Sequence, residues 1–132
     1  MPSQQNIYSG RSAEFFVAYT LENLGLRVSH VDLPYDDLWA AHPEGDIIRV
    51  QVKSARKAHL RKDRKNPQPR YHFKVNEARK PAYDGVYIFV ALDLELMFAR
   101  RWDDIPPLTI KINPDLFTAE HQTETLRREF SL

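Results

Sequence analysis

The run Ile47-Ile48-Arg49-Val50-Gln51-Val52-Lys53-Ser54 constrains the fold of this chain more than any other segment. It reads as a buried strand. Strand side chains alternate between faces, so Gln51 and Lys53 project together while Val50 and Val52 enter the opposite layer. Setting a lysine stem beside an amide in such a strand is costly unless a partner or a task compensates. An aspartate from a neighbouring strand, with a cation between, would supply that partner, and Tyr35-Asp36-Asp37-Leu38 stands ten residues earlier.

The surrounding pattern supplies the layers. Ala13, Phe16, Val17, Thr20, Leu21 and Leu24 recur at three- and four-residue spacing, which predicts a helix over Gly10 to Leu24 with Ser9 as N-cap and Gly25 as stop. Glu14 falls at the border of that apolar stripe, beside the face that packs on a sheet. Strands are expected over Leu26 to Leu33, Leu38 to Ala41, Ile47 to Ala55, Arg70 to Val75, Val86 to Leu92, Leu96 to Arg101 and Leu108 to Ile112. His42-Pro43-Glu44-Gly45 and Asp93-Leu94-Glu95 read as the turns of two hairpins. The tail from Pro114 to Phe130 reads as a helix of low amphipathicity. A helix, a meander of strands and a helix predict an α/β or α+β sandwich with mixed strand directions.

At 132 residues the chain suits one domain with its own core. The N-terminus lacks the basic and apolar regions of a signal peptide, and no run is long enough to span a membrane, so a cytoplasmic location without membrane association is expected. The absence of cysteine removes thiol catalysis, disulfides and thiolate zinc sites. The five histidines show no paired zinc spacing, and the four glycines form neither a phosphate loop nor a dinucleotide fingerprint.

Charge is distributed unevenly. Net charge is +1, yet Lys53 to Lys80 holds 11 Lys/Arg against Asp63 and Glu77, and the remainder of the chain is correspondingly acidic. The centre of that segment, Arg56 to Pro69, is a long loop because Pro67 and Pro69 oppose regular structure. Such a field, on a segment that also carries His59, Tyr71 and His72, is the footprint expected of a polyanion ligand. The bland alternative is a solvated lysine-rich loop. Bland readings also exist for each residue singly: Glu14 as a solvated helix carboxylate, Asp36 and Asp37 as turn residues, Lys53 as a guard on an edge strand.

Taken together, a helix Glu14, a strand Asp37 and a Gln51-x-Lys53 triplet resemble the PD-(D/E)XK nuclease superfamily. The resemblance is closest to the variant with Gln in the first triplet position, found in group I intron homing endonucleases of this fold. There too a Tyr-Asp-Asp/Glu-Leu turn precedes a Val-Gln-Val-Lys strand and a basic stretch. In element order the similarity covers residues 7 to 112, and it is specific between Tyr35 and Arg56. Two departures stand out: Gln51 replaces the usual acid, and Tyr35-Asp36 replaces the proline that usually precedes the aspartate, with Pro34 displaced.

The resemblance implies a restriction-endonuclease-like mixed sheet flanked by helices and spanning residues 1 to 132 as one domain. It also implies a Mg²⁺- or Mn²⁺-dependent endonuclease. Asp37 would be the direct metal ligand, with Asp36 the fallback. Gln51 and the Val52 carbonyl would complete the protein shell, Glu14 would hold a metal-bound water, and Lys53 would sit beside the nucleophile or the scissile phosphate. These types suit phosphodiester hydrolysis, which needs an in-line water, a cation to neutralise developing charge and a group to place the water. Arg56, Lys57, Arg61, Lys62, Arg64, Lys65, Arg70 and Tyr71 would contact double-stranded or branched DNA. So small a chain offers little surface for a long site, which predicts a homodimer or homotetramer. Competing expectations are a Holliday-junction resolvase or repair nuclease of the same fold, and a nucleic-acid-binding protein that keeps the fold without catalysis.

Overall fold

The computed structural model describes residues 4–31, 33–75 and 83–132, with side chains described from residue 9 onward. The first helix, α1, runs over Gln4–Asn23. It begins six residues before the expected start and places Ser9 and Gly10 inside the helix, so Ser9 is not its N-cap. The segment from Gln4 to Ser9 holds no proline or glycine, and once a helix is nucleated it propagates through such residues. Its C-terminus ends as expected. Gly25 adopts φ 98°, and the N–H groups of Gly25 and Leu26 return to the carbonyls of Glu22 and Leu21 at 3.0 and 3.2 Å, which closes a Schellman motif.

Among the described residues seven strands follow: β1 (Arg27–His30), β2 (Leu38–Ala41), β3 (Ile47–Ala55), β4 (Tyr71–Lys74), β5 (Val86–Ala91), β6 (Leu96–Arg100) and β7 (Thr109–Ile112). A 3₁₀ turn at Pro114–Leu116 leads to α2 (Ala119–Glu129). Five strands form one mixed sheet in the order β1-β2-β3-β5-β6, and β4 pairs with β7 in a separate two-stranded ribbon. The meander therefore holds for β1-β2-β3 and for β5-β6, both antiparallel, whereas β3 and β5 lie parallel across a crossover that contains β4.

Burial explains why β5 rather than β4 takes the place beside β3. All six residues of β5 are buried, as a strand covered on both faces requires. In β4, Tyr71 and Phe73 are buried while His72 and Lys74 face solvent, the pattern of an outer layer. A Cβ at Gly85, just before β5, would collide with the Arg49 carbonyl and the Tyr83 ring, so only glycine lets the returning chain approach β3 this closely.

The main sheet is covered on both faces. Val50, Val86, Ile88, Val90, Met97 and Ala99 pack on α1 through Ala13, Val17 and Leu21, and on α2 through Leu126, with Phe130 beside it. The opposite face, Tyr87, Phe89, Ala91 and Phe98, packs on the ribbon through Tyr71, Phe73 and Ile112, together with Phe117. Phe89 meets Phe73 edge to face at 5.0 Å, and Phe98 lies 5.4 Å from Phe117. These aromatic pairs add to the area they remove from water.

The second helix does more than bury an apolar stripe. Gln122 Oε1 accepts from the Met97 N–H and Thr125 Oγ1 from the Ala99 N–H, both at 3.0 Å. Its polar side chains thus occupy the outer edge of β6, where unpaired donors would invite another strand. The expectation of low amphipathicity is corrected here: Thr125, Leu126 and the following Phe130 are buried on one side while Thr123, Glu124, Arg127 and Arg128 are exposed, because the 3₁₀ turn separates the start of the segment from the helix proper. No described helix is long and apolar enough to cross a membrane.

Candidate active site

Strand β3 outruns its neighbour. The β2 register ends at the pair Leu38–Val50, so Gln51 to Ala55 extend beyond β2 on that edge. Asp37, the residue that enters β2, fills the first position of the gap. Its N–H donates to the Val50 carbonyl at 2.9 Å, and its Oδ2 accepts from the Val52 N–H at 2.7 Å. A carboxylate here takes the place a further strand residue would hold. Because peptide groups alternate along a strand, the Val52 carbonyl turns to the same edge as its N–H.

The two adjacent aspartates have separate environments. Asp36 is buried and accepts from Trp39 Nε1 at 2.8 Å, Tyr83 Oη at 2.6 Å and Arg49 Nε at 2.9 Å. Arg49 also reaches Asp84 at 2.9 Å. Burial opposes the Asp36 charge, but the hydrogen bonds from Tyr83, Trp39 and Arg49 outweigh it and hold the group below the usual aspartate range. Burial and the bond to Asp36 push the Tyr83 hydroxyl well up, so it remains a donor. Asp36 is thus a structural anchor.

Asp37 behaves in the opposite way. Burial raises its pKa, against the pull of the Val52 N–H and the Lys53 charge, and the neighbouring Asp36 pushes it further up. Asp37 is thus a half-buried carboxylate with its proton affinity raised, next to a lysine. The two residues thus differ in surroundings: Asp36 is engaged by Trp39, Tyr83 and Arg49, whereas Asp37 accepts from the Val52 N–H.

Gln51 and Lys53 are half-buried and turn away from the helical layer that covers Val50 and Val52. Glu14 is half-buried at the border of the packed face of α1 and belongs to the helical layer. The N-terminal part of α1 still reaches the same region, because Ser9 and Lys53 line one open groove of about 870 Å³ with Arg56, Lys57, His72 and Lys74. The structure therefore gathers Asp37, Gln51, Val52 and Lys53 at one strand edge, with Glu14 in the adjoining layer.

Among the described residues no three His, Asp or Glu side chains converge as a closed metal cage. The oxygen set present is one carboxylate, one amide and one backbone carbonyl. That set suits Mg²⁺, which keeps several waters and takes one or two carboxylates together with substrate phosphates.

The basic loop after β3 exposes Arg56, Lys57, Arg61, Lys62, Arg64 and Lys65, with Arg70 half-buried at its end. Tyr71 is a correction. It was expected at a DNA surface, but it is 2 % exposed, and its hydroxyl donates to Asp93 at 2.8 Å while its ring packs edge to face on Phe117 at 4.9 Å. Burial and the Asp93 partner raise its pKa to about 12. The period-two alternation of Tyr71, Phe73 and Val75 directs all three inward, and its position next to the loop does not override that. Sequence reasoning also missed Lys111, which β7 sets directly opposite His72, because no local signal pairs the two strands.

No protein-family profile matches the chain, and no curated protein sequence matches it. Among solved structures it superposes on the bacterial homing endonuclease I-Ssp6803I with a TM-score of 0.60 and 16 % identity, covering 100 % of both chains. At that identity the likeness speaks for architecture: the chain has the mixed α/β fold of this homing endonuclease, the fold that the resemblance to PD-(D/E)XK nucleases implied.

Proposed function

We propose that residues 1–132 act as one nuclease-like domain, a divalent-metal-dependent endodeoxyribonuclease of the homing type. The observation that carries this reading is the Asp37 carboxylate held on the Val52 N–H at the open edge of β3, within the field of Lys53. The full-length likeness to a protein described as a homing endonuclease supports it.

Asp37, the Gln51 amide oxygen and the Val52 carbonyl would hold Mg²⁺ or Mn²⁺, and Glu14 would orient a water from the helical side. The cation, when bound, supplies positive charge against the charge that develops on the phosphoryl oxygens. The chain's own residues do the rest. Asp37 supplies the full negative charge of the set, since Gln51 contributes only a dipole. Lys53 offsets the charge of an approaching phosphate or hydroxide, and its half-burial strengthens that effect relative to open water. The loop cations gather the polyanion and align it along the groove that begins at Lys53. A homodimer or homotetramer would present two such edges to the two strands of a duplex.

The test is incubation of purified protein with linear duplexes and four-way junctions, with and without Mg²⁺ or Mn²⁺, beside Asp37→Ala and Lys53→Ala. Metal-dependent cutting by the wild type, lost in both variants with folding intact, is expected. Undiminished cutting by both variants overturns the assignment, and a preference for junctions transfers it to a resolvase or repair nuclease. The neutral Gln51 favours one further reading, a non-catalytic DNA-binding protein, which salt-sensitive binding without cutting would support.

A further inference from the structure

The loop after β3 is folded back on the ribbon. His59 and Arg70 exchange backbone hydrogen bonds at 2.8 and 2.9 Å, which closes the segment between them into a compact excursion. The excursion leans over the solvent face of β4 and β7, where His72 and Lys111 are directly opposed. Between the two lies a concavity of about 300 Å³. Its loop wall carries His59, Arg61, Arg64, Lys65 and Arg70, and its floor carries His72 and Lys111. Asp63 is the sole acid in the sequence between Arg56 and Val75, and it is paired with Arg61 at 3.1 Å.

We propose that this concavity is a binding subsite for a nucleic-acid backbone phosphate, separate from the Asp37–Lys53 edge and formed jointly by the loop and the β4–β7 ribbon. The proposal rests on the DNA-binding part of the reading above.

The arrangement works against stability in the free protein. Lys111 on the ribbon faces Arg61, Arg64, Lys65 and Arg70 on the loop across the concavity, and like charges so gathered repel. The His59 and His72 rings stand 5.7 Å apart, edge to face, at the junction of the two walls. Desolvation depresses the His72 pKa, and the charges of Lys111, His59 and Arg61 depress it further. A phosphate removes that repulsion and offers acceptors to arginine forks from the loop and to an ammonium from the ribbon. The adjoining groove continues from His72 past Lys74 to Lys53, with Asp93 on its wall, so a strand seated in the concavity has a continuous route to the candidate active edge.

The experiment measures anisotropy of a labelled duplex with the full chain in EDTA, over a salt series, for the wild type, Lys111→Gln and Arg64→Gln. Both exposed substitutions should weaken binding and lower the slope of log affinity against log salt by about 0.9, the value of one phosphate contact. An unchanged slope in both variants, or no duplex binding by the wild type, overturns the subsite. The nuclease reading fails separately: altered slopes with no metal-dependent cutting by the wild type would leave the subsite standing and remove the enzyme.

Discussion

Replacing Asp36 and Asp37 one at a time should produce opposite phenotypes, although the two residues are adjacent and chemically identical. Asp36→Ala removes the acceptor for three donors, the Trp39 indole, the Tyr83 hydroxyl and the Arg49 guanidinium. Removing one partner of a buried ion pair costs about 3–5 kcal/mol. The Arg49 side chain is 39 % exposed and retains Asp84, so the lower end of the range applies, about 3 kcal/mol, or about 10 °C in Tm for a domain of this size. Asp37→Asn keeps an oxygen for the Val52 N–H and removes a charge that burial opposes, so stability should change by no more than about 1 kcal/mol. Its cleavage should fall by more than the ~100-fold that outer-shell partners of metal ligands contribute. Urea titration followed by tryptophan fluorescence gives the stabilities, and a metal-dependent cleavage assay gives the activities. The pH dependence provides an internal check. Because the folded Asp36 pKa lies below its usual 3.8, its contribution is fully present above that value and is lost as pH falls below it. The stability difference between wild type and Asp36→Ala should therefore shrink below about pH 3.8. A loss under about 1 kcal/mol in Asp36→Ala, or an equal loss in Asp37→Asn, would refute the division into anchor and reacting group.

Three further outcomes follow from the same geometry. Gln51→Glu adds a second carboxylate to the Asp37 edge and should lower the Mg²⁺ concentration for half-maximal cleavage by about tenfold, since hard cations bind more tightly as ligand charge rises; no change in a metal titration removes Gln51 from the shell. Tyr71→Phe should cost about 1 kcal/mol in urea unfolding through its lost bond to Asp93 and leave duplex affinity unchanged, whereas weaker DNA binding would return Tyr71 to the interface. His72 has its pKa lowered from 6.5 in the free protein, and a phosphate beside it would raise the value, so duplex affinity should strengthen as pH falls, by at most about tenfold per unit for one linked proton. A His72→Asn variant with the same pH profile as wild type would disconnect that histidine from the ligand.

Legibility in the sequence followed the range of the forces involved. β2 and β3 have the expected bounds because each combines a local burial pattern with a turn at His42-Pro43-Glu44-Gly45. The all-apolar β5 was legible for the same reason. The start of α1 was not, since the position of a glycine says where a helix costs more, by about 1 kcal/mol, rather than where it must begin. The departure of β4 from the main sheet depends on competition between two distant strands for one buried slot, and neither strand alone encodes the outcome. At the candidate site, the shared face of Gln51 and Lys53 was legible from strand alternation, and the entry of Asp37 into β2 from its place before Leu38. The engagement of Asp36 by Arg49, Trp39 and Tyr83 was not, because it joins residues from three separate segments.

The bridge between His59 and Arg70 ties off the excursion at its base. Residues inserted or removed between those two positions shift no register in the main sheet, and doubling a flexible loop costs only about 0.6 kcal/mol in closure entropy. The segment that would meet the ligand is thereby insulated from the segment that builds the core. A change of length or sequence within this independently closed stretch therefore leaves the strand edge bearing Asp37 and Lys53 where it is.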